Sequence, residues 1–183
     1  MSDEATVISP EQVFKKVIWR STLETGGALE RSTTWTIGGV AAIVAVLVSN
    51  LDSVAKIASL EGIKTSVVLF TLSLLFGALS KQVGMAIIAG VNTLKQTEDL
   101  LNSEAGKSLM AEMTIEPRQL VQELAEPFLW PLSTFIRKGG ERNLRDYVAG
   151  DKRFVKMFCF QIAFNAVHVL FAVAALFAIG LSI

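Results

Sequence analysis

Residues 157–183 form a run of 27 positions without one charged side chain, and two further uncharged runs precede it, 32–51 and 65–80. A bilayer core about 30 Å thick is crossed by roughly 20 residues of helix. The last run exceeds that length, the first matches it, and the second is short but flanked by Lys64 and Lys81, whose long stems let the charge reach the headgroups. The chain therefore reads as an all-α integral membrane protein. It has a helical bundle of three transmembrane helices, a hairpin plus a C-terminal span, and a helical cytoplasmic region. The expected division is an N-terminal amphipathic helix in 1–31, spans at 32–51, 65–80 and 154–183, an external connector at 52–64, and the cytoplasmic region at 81–153.

Charge placement orients these segments. Four Lys or Arg precede the first run, two lie in the connector, and eleven fall between Lys81 and Lys156. The excess of cations on the cytoplasmic side of membrane proteins places the N-terminus and the central region inside, with the connector and the C-terminus outside. The first 30 residues open acidic and polar and lack the apolar core of a signal peptide. A multi-pass protein of an inner or plasma membrane is expected. Seventeen basic and seventeen acidic residues cancel, so no global field argues for nucleic acid.

Ser9-Pro10-Glu11-Gln12 is a helix start, with serine as cap, proline at the first helical position and glutamine three residues after the cap. The helix that follows places Val13, Phe14, Val17 and Ile18 on one side and Lys15, Lys16 and Arg20 around the rest, and should end near Gly26-Gly27. It either lies in the headgroup layer or packs against other cytoplasmic helices. Gly38, Ala42, Ala45 and Ser49 form a narrow stripe of small residues on the first span, and Ser73, Gly77, Ser80 and Gly84 form another on the second. Such stripes let helix backbones approach closely in lipid, and two of them on consecutive spans predict a tight antiparallel hairpin. Lys81 belongs at the membrane boundary, with residues 83–94 continuing the helix outward, because a cation at mid-membrane costs at least about 2.5 kcal/mol and needs a partner.

Residues 95–126 carry seven acidic side chains against three basic ones, with Gly106 and Pro117 as punctuation. Residues 127–136, which hold Phe128, Trp130 and two prolines, are too short to span and suit an interfacial segment. Further on the charge reverses. Arg137, Lys138, Arg142, Arg145, Lys152 and Arg153 fit anionic lipid headgroups, each contributing about 1 kcal/mol near such a surface; salt bridges to the acidic stretch are the alternative. Gly139-Gly140 should end one helix, and Asp151 suits the cap of the last span.

Within the last span Gln161, Asn165 and His168 share one face. Polar side chains at that depth turn away from lipid, and the protein's only histidine is a functional candidate by default. The triplet serves either as interhelical glue, at about 0.6–2 kcal/mol per hydrogen bond, or as the lining of a polar path. No nucleophile elbow, zinc-protease motif or phosphate loop is present, and the lone Cys159 builds no disulfide or metal pair. No enzyme, cofactor or metal is expected. The sequence points to an oligomeric scaffold or an accessory subunit of a larger membrane assembly. The alternative is an oligomeric channel or membrane-disrupting pore lined by Gln161, Asn165 and His168. A membrane enzyme with a site shared with a partner comes third.

Overall fold

In the computed structural model, residues 9–183 are described, and among them the chain is helical with no strand. Helix α1 covers Pro10–Glu24 and α2 covers Gly26–Ser49. A single turn, α3 (Leu51–Val54), leads to α4, which runs unbroken over Leu60–Asn102. Then come α5 (Glu104–Glu112), α6 (Pro117–Ala125), α7 (Leu132–Arg145) and α8 (Ala149–Gly180). Three helical stretches are long and apolar enough to cross a membrane, in Pro10–Ser49, Leu60–Asn102 and Ala149–Gly180.

The start of α1 follows from its first four residues. The Gln12 amide N–H donates to Ser9 Oγ at 3.3 Å and the Ser9 N–H donates to Gln12 Oε1 at 3.2 Å, so two orphan donors are satisfied reciprocally. Ser103 caps α5 in the same spirit, accepting the Gly106 N–H at 3.1 Å. Gly106 thus lies inside a helix, and Pro117 opens α6 at a position where no amide hydrogen is needed.

Two compact units divide the chain. Among the described residues, one comprises 9–24 and 89–155, the other 25–88 and 156–183. The second unit packs α2, the first part of α4 and the long apolar part of α8. Its apolar core is Val40, Phe70 and Ala175, with Val44, Leu47, Leu69, Leu74, Ala172 and Ile179 around it. In the first unit α6 and α7 pack against one another.

Two boundaries differ from expectation. Gly139-Gly140 does not end a helix: α7 passes through both. A Cβ at Gly140 would lie 2.5 Å from Val121 Cγ1 of α6, so the glycine makes room for a neighbour. Asp151 does not cap α8, which starts two residues earlier; the Val148 N–H donates instead to Asp146 Oδ1 at 3.1 Å.

Candidate functional site

The largest correction concerns the small-residue stripes. Ser73, Gly77, Ser80 and Gly84 are all buried, but Gly38, Ala42, Ala45 and Ser49 are all exposed. The two stripes do not meet. A Cβ added at Gly38 would have nothing within 4 Å, whereas one at Gly77 would come 2.7 Å from Ile37 Cγ1 and 3.0 Å from His168 Nδ1. The seam on α2 is built from Thr33, Ile37 and Val40, and the α4 stripe faces both α2, at Ile37 and Glu30, and α8, at Gln161 and His168.

Side-chain chemistry explains that choice. Ser80 Oγ donates to the Gln161 carbonyl at 3.0 Å, Ser73 Oγ to the His168 carbonyl at 2.9 Å, and Ser66 Oγ to the Ala175 carbonyl at 2.9 Å. Each step is seven residues on both helices and runs in opposite directions, which defines an antiparallel pair in heptad register. The ladder continues beyond α4 with the Ser59 N–H donating to the Ser182 carbonyl at 3.0 Å. Serine is small enough for close approach and brings its own donor, so α4 binds the backbone of α8 where a glycine stripe on α2 offers only contact.

The polar triplet of α8 lies inside this same seam. His168 and Gln161 are fully buried. Asn165 Oδ1 is 2.9 Å from Thr33 Oγ1 on α2. The imidazole bridges two helices: Nδ1 is 2.8 Å from both the carbonyl oxygen and the hydroxyl of Ser73, and Nε2 is 3.1 Å from Thr36 Oγ1. A carbonyl oxygen only accepts, so the Nδ1 hydrogen points to Ser73. Thr36 also lies 3.0 Å from the Thr33 carbonyl. Its hydroxyl can therefore donate to Nε2, or turn to Thr33 and accept from Nε2–H. Phe76 stacks against Phe171 at 5.8 Å between ring centroids and covers α8 beside the seam.

Gln161 stands apart. Its backbone carbonyl is used by Ser80, but neither Nε2 nor Oε1 of its buried amide has a hydrogen-bond partner. Gly84 of α4 faces the amide so closely that a Cβ there would be 2.5 Å from Nε2 and 3.4 Å from Glu30 Cγ of α2.

The first unit is held by charge. Lys16 Nζ is 2.7 Å from Glu98 Oε1 and 4.0 Å from the centre of the Tyr147 ring, Arg20 pairs with Glu98 at 2.5 Å, and Arg20 Nε donates to Asp151 Oδ1 at 3.1 Å. Lys16 and Asp151 are buried, at 9% and 4% exposure. The hydrogen bond from Arg20 holds the Glu98 carboxyl below the usual range, against the cost of its burial and with help from Lys16. Burial works against the Lys16 ammonium, but its hydrogen bonds to Glu98 and Tyr147 and the Glu98 charge outweigh that and raise its pKa. Arg20 is likewise raised, first by its hydrogen bond to Glu98. The amphipathic helix is consequently turned over: Lys16 and Arg20 point inward and Lys15 outward, while Phe14 and Val17 are 67% and 61% exposed.

Arg137, Lys138, Arg142, Lys152 and Arg153 are exposed and none is in an ion pair among the described residues; the side chain of Arg145 lies outside the described residues. The acidic stretch spends Glu98 on α1 and not on these cations. Lys81 is half-buried and is in no ion pair among the described residues. The 127–136 segment exposes Leu129 and Trp130 at 85% and 82%.

Sequence reasoning found the α8 triplet but missed its partners. Ser66, Thr33 and Thr36 were readable in one respect: serines at 66, 73 and 80 match the sevenfold spacing of 161, 168 and 175. The Arg20–Glu98–Asp151 cluster left no such signal, because its members are 78 and 131 residues apart. Comparison with family models, curated proteins and solved structures finds no match to this chain.

Proposed function

We propose that the protein is a non-enzymatic, multi-pass membrane scaffold, an oligomer-forming or accessory subunit of a larger assembly in an inner or plasma membrane. Its N-terminus and the 81–153 region are placed in the cytoplasm and its C-terminus outside. One observation carries this reading. The Gln161 and His168 side chains are buried within a single chain, while the faces turned outward are apolar or small: Phe14 and Val17 on α1, and Gly38, Ala42, Ala45 and Ser49 on α2. Side chains meant to line a shared pore would project away from their own bundle, and Gln161 and His168 are fully buried in it. A flat, small-residue face on a membrane helix suits close contact with another helix, here assigned to a second copy or a partner subunit. The exposed Arg137, Lys138, Arg142, Lys152 and Arg153 suit anionic headgroups.

The test is to size the full chain in detergent and in nanodiscs, then measure ion flux in liposomes. The scaffold reading expects self-association or a stable hetero-complex, weakened by Ala42→Ile on the outward face, with no flux. A symmetric ring whose conductance is altered by Asn165→Leu contradicts it and favours the pore.

A further inference from the structure

The buried amide of Gln161 presents two hydrogens and an oxygen to a spot where no protein group answers them. Interiors meet such a demand with ordered water when the protein does not. Two glycines border the amide. Gly84 of α4 packs directly on Nε2, 2.5 Å from where its Cβ would stand, and Gly26 of α2 faces the Oε1 side, where a Cβ would stand 3.9 Å away. Glu30 of α2 lies at the same place, half-buried, with its carboxylate accepting the Thr34 hydroxyl at 3.1 Å. A guest here must both give and accept hydrogen bonds. A nearby carboxylate disfavours an anion, and a lone carboxylate with an amide makes a poor metal site. Water both gives and accepts.

Polar groups continue inward from that spot. One turn deeper Thr33 meets Asn165, and the next turn brings Thr36 to His168 and Ser73. The sequence of polar contacts then stops at the layer of Val40, Phe70 and Ala175. Beyond it the Ser66 hydroxyl is already bound to the Ala175 carbonyl. The polar half of the seam is a blind inlet, lined from the Glu30 end and sealed at the other.

We propose that Gln161 holds a water molecule in this inlet, and that His168 exchanges protons with solvent only from the Glu30 end. The hydroxyl of Thr36 stands 3.0 Å from the Thr33 carbonyl and 3.1 Å from Nε2, and so joins the ring to the polar groups one turn nearer Glu30. Three charged groups stand on the helices packed against this part of α8: Glu30 and the exposed Arg31 on α2, and the half-buried Lys81 on α4. On α8 itself, residues 157–183 add just the exposed Cys159. This inference is independent of the scaffold reading, since it concerns the interior of one chain.

Water-edited NMR of the isotope-labelled full chain in nanodiscs tests it. Polarisation from water should reach Gln161 Nε2 fastest, the His168 ring nitrogens next, and Ser66 and Ala175 several-fold more slowly. Gly84→Ala, which puts a methyl beside Nε2, should cut transfer to Gln161 and His168 several-fold. Gln161→Leu, which leaves the glycines and serines in place, should slow transfer to His168 in the same way even if the first variant fails to fold. A Gln161 amide as slow as Ser66 would overturn the water site. Equal transfer on both sides of the Val40–Phe70–Ala175 layer would overturn the one-sided inlet, as would a His168 response unchanged in Gln161→Leu.

Discussion

The two compact units solve the same problem with different chemistry. In the unit of α2, α4 and α8, buried polar groups are neutral: serine hydroxyls on backbone carbonyls, an amide, and a ring held by Ser73 and Thr36. In the unit that contains α1, they are charged: Lys16, Arg20, Glu98 and Asp151. The contrast follows from desolvation. A hydroxyl on a helix carbonyl hides its polarity at little cost, whereas a buried ion needs its counter-ion in place. Neutral contacts can therefore be lost one at a time, but the ionic cluster stands or falls with Arg20, which joins both carboxylates.

The largest effect is expected there. Arg20→Ala leaves Asp151 buried without its cation, a loss of about 3–5 kcal/mol for a fully buried pair; partial exposure of Arg20 and Glu98 discounts this to roughly 2–3 kcal/mol. Limited proteolysis should then release α1 while the seam of α2, α4 and α8 stays protected. Equal protection of α1 in the variant would break the contrast.

Next comes a paired substitution on the two small-residue stripes. Gly77→Ala crowds Ile37 and the imidazole and should cost about 1–3 kcal/mol in unfolding measurements. Gly38→Ala meets nothing in the chain and should change monomer stability by under about 0.5 kcal/mol. His168→Leu comes third: it removes contacts to Ser73 and Thr36 at about 0.6–2 kcal/mol for such bonds, with helical content kept by circular dichroism.

The smallest effect is a pH response of the ionic unit. The Glu98 carboxyl is lowered in the folded chain, so its stabilisation is present above the unfolded value near 4.5 and disappears as pH falls through the folded one. With Glu98 one-third exposed, the loss should be about 0.5 kcal/mol. Release of α1 should rise below about pH 4.5, and Glu98→Gln should flatten that rise.

Some of this was legible in the sequence and some was not. Three uncharged runs announce three spanning helices, and Ser9-Pro10-Glu11-Gln12 announces the start of α1, because both depend on residues next to one another. The inward turn of Gln161, Asn165 and His168 was also readable, since a lipid layer leaves polar groups one direction to face. What the runs do not carry is the partner. A stripe such as Gly38 to Ser49 says that a face is flat, not what lies on it: that stripe faces outward, Ile37 of α2 meets Gly77 of α4 in its place, and the Ser66–Ser73–Ser80 ladder binds α8. The outward apolar side of α1 was hidden too, because its inward side is chosen by Glu98 and Asp151, far away in the chain.

The central claim is that the His168 face is consumed inside one chain by α4 in antiparallel register. Solid-state NMR on labelled chain diluted into an excess of unlabelled chain, in lipid, measures this directly. The account predicts a correlation between His168 Nδ1 and the Ser73 carbonyl carbon whose intensity per labelled chain is unchanged by dilution. A correlation that fades in proportion to dilution, or a His168 ring that contacts another copy in its place, would contradict it.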